Sequence, residues 1–302
     1  MDKHIAELRE ERRRKYFARG IAFAVASGIC YGLYTGFLTL AETQGVWGEW
    51  FAGGEWGNDN AALSAFTITF VLAALAAGLN DTVSGIWSLA VCAKNHQLGD
   101  FAKTLRSKPG IVMMICAAIG GPFATIAYII GLNSATASGN PGVIVPIAAL
   151  NCAIGAILGR IFFKQKLSAH MVAGIIVCLF AAAAIGGASL SAIGPEALVS
   201  CFFAFFAAFG WGFEGCVAGF GTVLIDYRIG IAIRQVTAGV LELFVVFPIL
   251  AIVGGGVDML GSIASAALTS PAMLVFLISG FFAMPAFSFW YKGNSMCGAA
   301  LG

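Results

Sequence analysis

The sequence predicts an all-α membrane protein built from two inverted five-helix repeats, in which about eight of ten spans are present and the last two are missing. Composition, a one-sided charge distribution and an internal repeat predict this fold class. The chain of 302 residues is 59% hydrophobic and only 11% charged, and its mean hydropathy is +0.89. Ordinary soluble domains are roughly a quarter charged. So many apolar residues require lipid as their solvent.

Apolar segments of about 20 residues, the length that crosses a bilayer, recur along the chain. They are predicted at 20–41, 63–92, 110–132, 142–163, 169–188, 198–222, 229–253 and 271–291. Residues 1–19 precede them as a basic segment, which we expect to lie in the cytosol. The eight Cys lack CxxC spacing, which is typical of buried thiols rather than a disulfide framework.

The basic residues fall on one side of this predicted topology. If the N-terminus is cytoplasmic, all 17 Lys and Arg lie in or beside cytoplasmic segments, with Arg234 at the start of the seventh span. The opposite loops contain no Lys or Arg, and they are 42–62, 133–141, 189–197 and 254–270. This asymmetry satisfies the positive-inside rule. It predicts a multi-pass protein of the plasma (inner) membrane with a cytoplasmic N-terminus.

The first outer loop is rich in Trp and Gly. Trp47, Trp50 and Trp56 are interpreted as an aromatic anchor at the membrane interface. A lid over a substrate site is the alternative.

Short motifs of the first half recur in the second half. AGLND at 77–81 resembles AGVLE at 238–242, and Asn133-Ser134 recurs as Asn294-Ser295 with the same spacing along the chain. CYGLY at 30–34 resembles GWGFE at 210–214, with a somewhat longer spacing. The difference between the two spacings falls in the loop between the first two spans, where the first half carries its Trp and Gly.

The repeat unit therefore contains five spans. Because five is odd, the second copy enters the membrane from the opposite side, as in many inverted-repeat proteins. We predict a first repeat at 20–190 and an incomplete second repeat at 198–302, without counterparts of the fourth and fifth spans. The sequence is accordingly expected to be a fragment or a short form of a ten-span protein.

These residues resemble those of a known family. The aromatic-Gly pairs YG in the first span and WG in the sixth resemble the signature that opens each half of the drug/metabolite transporter superfamily, EamA type. Residues 151–187 resemble its fourth span, basic turn and fifth span, and 228–239 resembles the second-half span that usually carries an arginine, here Arg234. The resemblance implies a ten-helix carrier of small solutes, such as amino acids, metabolites or drug-like molecules, with spans 1, 3, 4, 6, 8 and 9 around a central cavity.

Three acids lie within the predicted spans: Asp81, Glu214 and Glu242. Burying an ionisable group in a membrane costs several kcal/mol, so each is a candidate functional residue. The resemblance places Glu214 at the cavity, where it would take a coupling proton or pair with a substrate amine. A protonated Glu214 bonded between helices is the alternative. Asp81 and Glu242 are repeat mates on more peripheral spans, and helix-packing hydrogen bonds compete with a role in transport.

The other candidates are aromatic or amide side chains. Tyr34 is the repeat counterpart of Glu214, and Tyr31 and Trp211 lie beside these two residues in the sequence. Asn151 inside the fourth span either bonds between helices or contacts the substrate. Pro122 and three other span prolines are expected to kink helices and free backbone carbonyls.

Together these features predict a secondary transporter that works by alternating access. Its partners would be the lipid bilayer, a small solute and protons as the coupling ion, and a homodimer is the candidate assembly. A channel or membrane scaffold is the alternative. The sequence has no HExxH run, no mid-span His and one mid-span Asp, so we do not expect an enzyme, a metal site, a cofactor or nucleic-acid binding. Few cations in the core argue against a dedicated anion carrier.

Overall fold

Helices make up nearly all of the computed structural model, which describes residues 2–53, 55–56, 61–137, 143–164, 167–189 and 195–297. The first half contains α1 (Asp2–Glu42), α2 (Gly45–Phe51), α3 (Leu72–Lys94), α4 (Leu98–Leu105), α5 (Lys108–Ala118), α6 (Ala124–Ala137), α7 (Ile144–Ala148), α8 (Asn151–Phe163) and α9 (Ala169–Ser189). The second half contains α10 (Pro195–Leu224), α11 (Tyr227–Leu241), α12 (Phe247–Thr269) and α13 (Ala272–Cys297).

Within the described residues, three π-helical turns interrupt these helices. They are π1 (Thr67–Val71) before α3, π2 (Ile119–Phe123) between α5 and α6, and π3 (Glu242–Val246) between α11 and α12. Two antiparallel strands of two residues each, β1 (Glu55–Trp56) and β2 (Ala61–Ala62), follow α2. Pro122 lies inside π2, in agreement with the expectation that span prolines disturb the regular backbone. Such turns are rare and frequently mark functional sites.

The chain is a multi-pass integral membrane protein. Of the helices whose side chains the structure describes, seven are long and apolar enough to cross a membrane. Met171–Ala181 is a shorter apolar stretch within α9. Large apolar side chains point outward, among them Phe180 at 73% and Phe244 at 72% exposure, whereas Asp81, Glu214, Arg234 and Glu242 are buried. This distribution suits a hydrocarbon solvent.

The structure differs from the sequence prediction in two segments. The predicted span at 142–163 is broken, because α7 ends at Ala148, two residues form a turn, and α8 begins at Asn151. The predicted loop at 254–270 instead continues as the second part of α12, after a kink at Gly255 and Gly256. Gly256 has a φ of +81°, a conformation that favours glycine. Neither feature changes the hydropathy of its segment.

The outer tryptophans described by the structure are not an interfacial belt. Trp47 and Trp50 are 0% and 2% exposed, and the Trp47 ring lies 4.9 Å from that of Phe276 on α13. An aromatic ring buried against a neighbouring span contributes a large packing area there. This corrects the anchor interpretation for these two residues. The Trp56 side chain lies outside the described side chains.

Helices α3 and α11 pack against each other in opposite chain directions. A methyl group built on Gly78 would lie 2.6 Å from Leu243, and one on Gly239 would lie 2.7 Å from the Thr82 backbone nitrogen. The residue numbers of the contacts therefore rise along one helix as they fall along the other, as in an antiparallel pair. The two glycines permit this close crossing.

We expect Gly239→Ala to destabilise the protein more than Gly78→Ala. The new methyl at Gly239 meets the Thr82 backbone, which cannot rotate away, whereas at Gly78 it meets the end of the Leu243 side chain. Overpacking of this kind costs about 1–3 kcal/mol. Thermal unfolding of the purified protein in detergent measures both variants, and the opposite order would contradict the packing described.

Two further antiparallel helix pairs flank this crossing. In the pair α1 and α13, Ser27 donates to the Ala286 carbonyl and Ser279 donates to the Tyr34 carbonyl, at 2.7 and 3.0 Å. In the pair α6 and α10, a methyl on Gly210 would lie 2.7 Å from Ala124. The crossing of α3 and α11 thus lies between these two pairs.

Candidate functional site

A buried ion cluster joins α3, α10 and α11. Arg234 Nη1 donates to Asp81 Oδ2 at 2.8 Å, and Arg234 Nε donates to Glu214 Oε1 at 3.0 Å. Asp81 is 1% exposed, and Glu214 and Arg234 are fully buried. One guanidinium thus holds two carboxylates from different helices, which its planar fork of donors allows. Because the ions are removed from water, the loss of any one of them leaves an uncompensated buried charge.

Neutral side chains complete the shell around these ions. Tyr291 on α13 donates its hydroxyl to Glu214 Oε1 at 2.8 Å. Asn80 donates its amide to Asp81 Oδ1 at 3.4 Å, and Ser279 donates to Asn80 Oδ1 at 2.7 Å. A second layer forms where Arg234 also donates to Gln235 Oε1, and Gln235 Nε2 in turn donates to Ser84 Oγ. The polar network therefore extends over α3, α10, α11 and α13.

Glu242, the first residue of π3, is fully buried beside this network. Neither of its carboxyl oxygens has a hydrogen-bond partner among the described residues. The charged groups with which it interacts electrostatically are Asp81 and Arg234. A buried carboxylate without a partner is costly, and such a group is stable only when it is neutral or finds a cation.

The carbonyl of Gly120 connects the ion cluster to an adjacent cavity. This oxygen, in π2, accepts from Trp211 Nε1 at 2.9 Å, from Thr125 Oγ1 at 3.2 Å and from Arg234 Nη2 at 3.5 Å. The Arg234 guanidinium also lies 4.2 Å from the centre of the Phe287 ring. Trp211 and Phe287 both line the cavity, so the cluster supports two of its walls directly.

The cavity has a volume of about 300 Å³ and lies between helices of the two halves of the chain. Its wall is rich in aromatic rings, contributed by Tyr31, Tyr128, Trp211, Phe287 and Trp290. None of the described lining residues is Asp, Glu, Lys or Arg. Aromatic faces with a few hydroxyl and amide groups suit a neutral or cationic organic solute.

The break between α7 and α8 lies at this cavity. Asn151, the first residue of α8, and the preceding Ala148 and Ala149 contribute to its wall. A methyl group on Gly212 would lie 2.8 Å from the Asn151 carbonyl oxygen, so α10 approaches the broken helix closely. Interrupted helices line the binding sites of many carriers.

The structure sorts the predicted site residues into two groups. Tyr31, Trp211 and Asn151 line the cavity. Asp81, Glu214 and Glu242 lie in or beside the ion cluster, together with Tyr34, which is 1% exposed and interacts with Asp81 and Glu242. The two groups adjoin, because the Tyr31 ring lies 5.3 Å from that of Tyr34 and 6.4 Å from that of Trp211.

Three expectations are corrected. Glu214 does not line the cavity, because its carboxylate is turned toward Arg234 and Tyr291. Asp81 is central rather than peripheral, since it shares the same arginine. Arg234 is a core cation rather than a charge at the membrane boundary. Its position within the predicted span 229–253, which also holds Glu242, was the sequence signal that a buried ion pair was present.

Neither a comparison with models of known protein families nor a comparison with curated proteins gave a match to this sequence.

Proposed function

We propose that this protein is a secondary transporter of the drug/metabolite type, which moves a small organic solute across the cell membrane by alternating access. The observation that carries the proposal is the aromatic cavity between the two halves, bordered by a broken helix and backed by a buried ion cluster. Concave sites with convergent polar groups are where ligands bind. Intramembrane ions beside such a site are typical of transport proteins.

Two inverted repeats form the framework of this proposal. The sequence repeat that relates AGLND to AGVLE makes Gly78 equivalent to Gly239 and Thr82 equivalent to Leu243. It therefore makes the contact of Gly78 with Leu243 equivalent to that of Gly239 with Thr82. A two-fold axis that exchanges two antiparallel helices runs across them, in the plane of the membrane. The antiparallel crossing of α3 and α11 therefore supports an inverted arrangement rather than a parallel one.

The other helix pairs support the same axis. Tyr34 contacts Ser279 in the pair α1 and α13. Glu214 on α10, its mate in the repeat of CYGLY as GWGFE, lies against Gly120 in π2, the turn that leads into α6. Gly120 lies close to the position equivalent to Ser279. Tyr31 and Trp211 are mates in the same repeat, and their rings meet nearly at a right angle (88°). The axis would pass between these two rings at the cavity.

The chemistry of the cavity points to uncharged, zwitterionic or cationic solutes with apolar surface. Aromatic rings attract organic cations and stack on flat solutes, whereas the single core arginine is already paired with two carboxylates. A phosphate or a sulfonate would find no free cation among the described lining residues. We propose protons as the coupling ion and the cytoplasm as the side on which the N-terminus lies.

A carrier of this kind is expected to give saturable uptake and counterflow in liposomes. A thermal-shift screen of the purified protein against a metabolite library identifies the solute. A solute at 100 times its dissociation constant stabilises the folded protein by roughly 2.7 kcal/mol. The same solute, radiolabelled, is then used for uptake and exchange. A channel would conduct without saturation or exchange, and a scaffold would do neither.

We expect Tyr31→Ala to abolish the thermal shift given by that solute, because it removes one of the rings that line the cavity. Trp87→Ala is the matched control, since Trp87 is an aromatic residue of α3 that is 40% exposed. It should retain the full shift. If the Tyr31→Ala protein responds as the wild type does, the solute binds elsewhere.

A further inference from the structure

Glu242 is the acid that the buried ion cluster leaves without a partner. Both of its carboxyl oxygens lack hydrogen bonds among the described residues, and the side chain is fully buried. The adjoining cluster uses its single guanidinium for Asp81 and Glu214. Three carboxylates and one arginine would carry a net charge of −2 in a buried region. A neutral Glu242 halves that excess charge.

The elements packed against π3 carry few ionisable side chains that could neutralise the charge of Glu242. On α3, Asp81 is the acid that faces it, and on α11 Arg234 is the base. Tyr34 of α1 also interacts with it. The π2 segment carries no ionisable residue, and on α12 Asp258 is the one acid and is exposed. Arg234 precedes Glu242 by eight residues, roughly 12 Å along a helix, so the cation pairs with other acids.

We infer that Glu242 is the binding site for the coupling proton of the proposed carrier, an inference that rests on the proposed function. On release, the O–H bond of the carboxyl group breaks, the proton passes to water on one side of the membrane, and the carboxylate keeps the electron pair. Uptake from the other side reverses the step. No other reactant is required.

Ionisation of Glu242 acts at the crossing of the two halves. A methyl group on Gly78 would lie 3.1 Å from Glu242 Cβ, so Glu242 lies at the closest approach of α3 and π3. Its negative charge would face Asp81 on α3, and like charges repel strongly in a low dielectric. Asp81 in turn holds Arg234, which stacks on Phe287 in the cavity wall. Proton release therefore loosens the crossing, and it moves the cavity wall through the Asp81–Arg234 ion pair and the contact of Arg234 with Phe287.

Infrared spectroscopy of the purified protein tests the proton site without any transport measurement. The carbonyl stretch of a protonated carboxyl group appears apart from that of a carboxylate. The spectrum of the wild type minus that of Glu242→Gln should contain this band at mildly acidic pH, and the band should disappear as the pH is raised. The exposed Asp258→Asn serves as the matched control and should give no such band.

Each outcome decides the assignment. Absence of the band from the difference spectrum would mean that Glu242 is ionised. A band that does not change with pH would mean that the proton is bound permanently. Either result overturns the inference. If Glu242→Gln cannot be purified, Glu242→Asp replaces it, because the band changes frequency only if it arises at this position. Glu42, also buried with an unpartnered oxygen, contributes equally to both spectra and cancels.

A separate measurement tests whether ionisation of Glu242 moves the cavity wall. Tryptophan fluorescence should change with the same pH midpoint as the infrared band, because Trp211 and Trp290 line the cavity, and Glu242→Gln should abolish this change. An unaltered fluorescence titration in Glu242→Gln would overturn the coupling. Failure of counterflow with a normal infrared titration would refute the transport function and leave a proton site without a transport role, so the two failures can be distinguished.

Discussion

Replacement of Arg234 by Met is expected to lower the stability of the protein by about 3–5 kcal/mol, the largest effect of any single substitution considered. The side chain is fully buried, and it holds Asp81 at 2.8 Å and Glu214 at 3.0 Å. Removing the cation leaves two carboxylates facing each other without water. Thermal unfolding in detergent and the yield of folded protein measure this loss. Arg228→Met is the control, because this partly exposed arginine of the same helix stacks on Tyr227.

Neutralising the carboxylates together with the arginine should restore most of the lost stability. The triple variant Asp81→Asn, Glu214→Gln, Arg234→Met contains no buried charge in this cluster, and such replacements of buried ion networks are often neutral or stabilising. Arg234→Lys should fall between the two, because one ammonium group cannot donate to both carboxylates in the same fork geometry. A triple variant as unstable as Arg234→Met would show that shape, rather than charge, sets the cost.

The sequence was sufficient to predict the class of protein and most of the spans. Hydropathy depends on composition over about 20 residues, and in the first and last segments the structure follows it closely. The break before Asn151 and the kink at Gly255 were missed, since both lie in apolar surroundings where a helix and an irregular backbone have the same hydropathy. Local backbone geometry at these positions is decided by packing against α10 and by a glycine conformation.

The ion cluster was only half predicted. Asp81, Glu214 and Glu242 stood out because acids are rare in spans, but the sequence does not specify which helices pack together. Arg234 lies 153 residues from Asp81 in the chain, so their pairing follows from tertiary structure. The assignment of each basic residue to one side of the membrane had placed this arginine at the membrane boundary. An arginine inside a span that also holds an acid is the pattern that favours a buried pair.

Some of the residues that line the cavity were predicted, but its aromatic character was not. Tyr31, Trp211 and Asn151 were candidates, and all three line it. Tyr128, Phe287 and Trp290 were not predicted, because aromatic residues are common in apolar spans and only their convergence distinguishes a cavity wall from lipid contact. Five aromatic rings from four helices meet there, which no local pattern specifies.

We expect Gly120→Ala to destabilise the protein by about 3 kcal/mol, although the same substitution in a helix usually stabilises by about 0.5–1 kcal/mol. The added methyl group would overlap the Glu214 carboxylate and would lie 2.6 Å from its Cδ. Glu214 cannot rotate away freely, because Arg234 and Tyr291 hold one of its oxygens. The methyl group therefore has to break the ion pair or displace π2, and the cost combines overpacking with a disrupted buried pair.

Gly174→Ala is the matched control for this substitution, since Gly174 on α9 has no atom within 4 Å of the position where the methyl group would be added. It should leave the unfolding temperature unchanged or raise it. Combining Gly120→Ala with Glu214→Asp should recover part of the loss, because the shorter side chain withdraws the carboxylate from the new methyl group. The Gly120 carbonyl also accepts from Trp211, so displacement of π2 would alter the cavity wall as well. A Gly120→Ala protein as stable as the wild type would mean that Glu214 is not held by Arg234. That result would contradict the ion cluster described above.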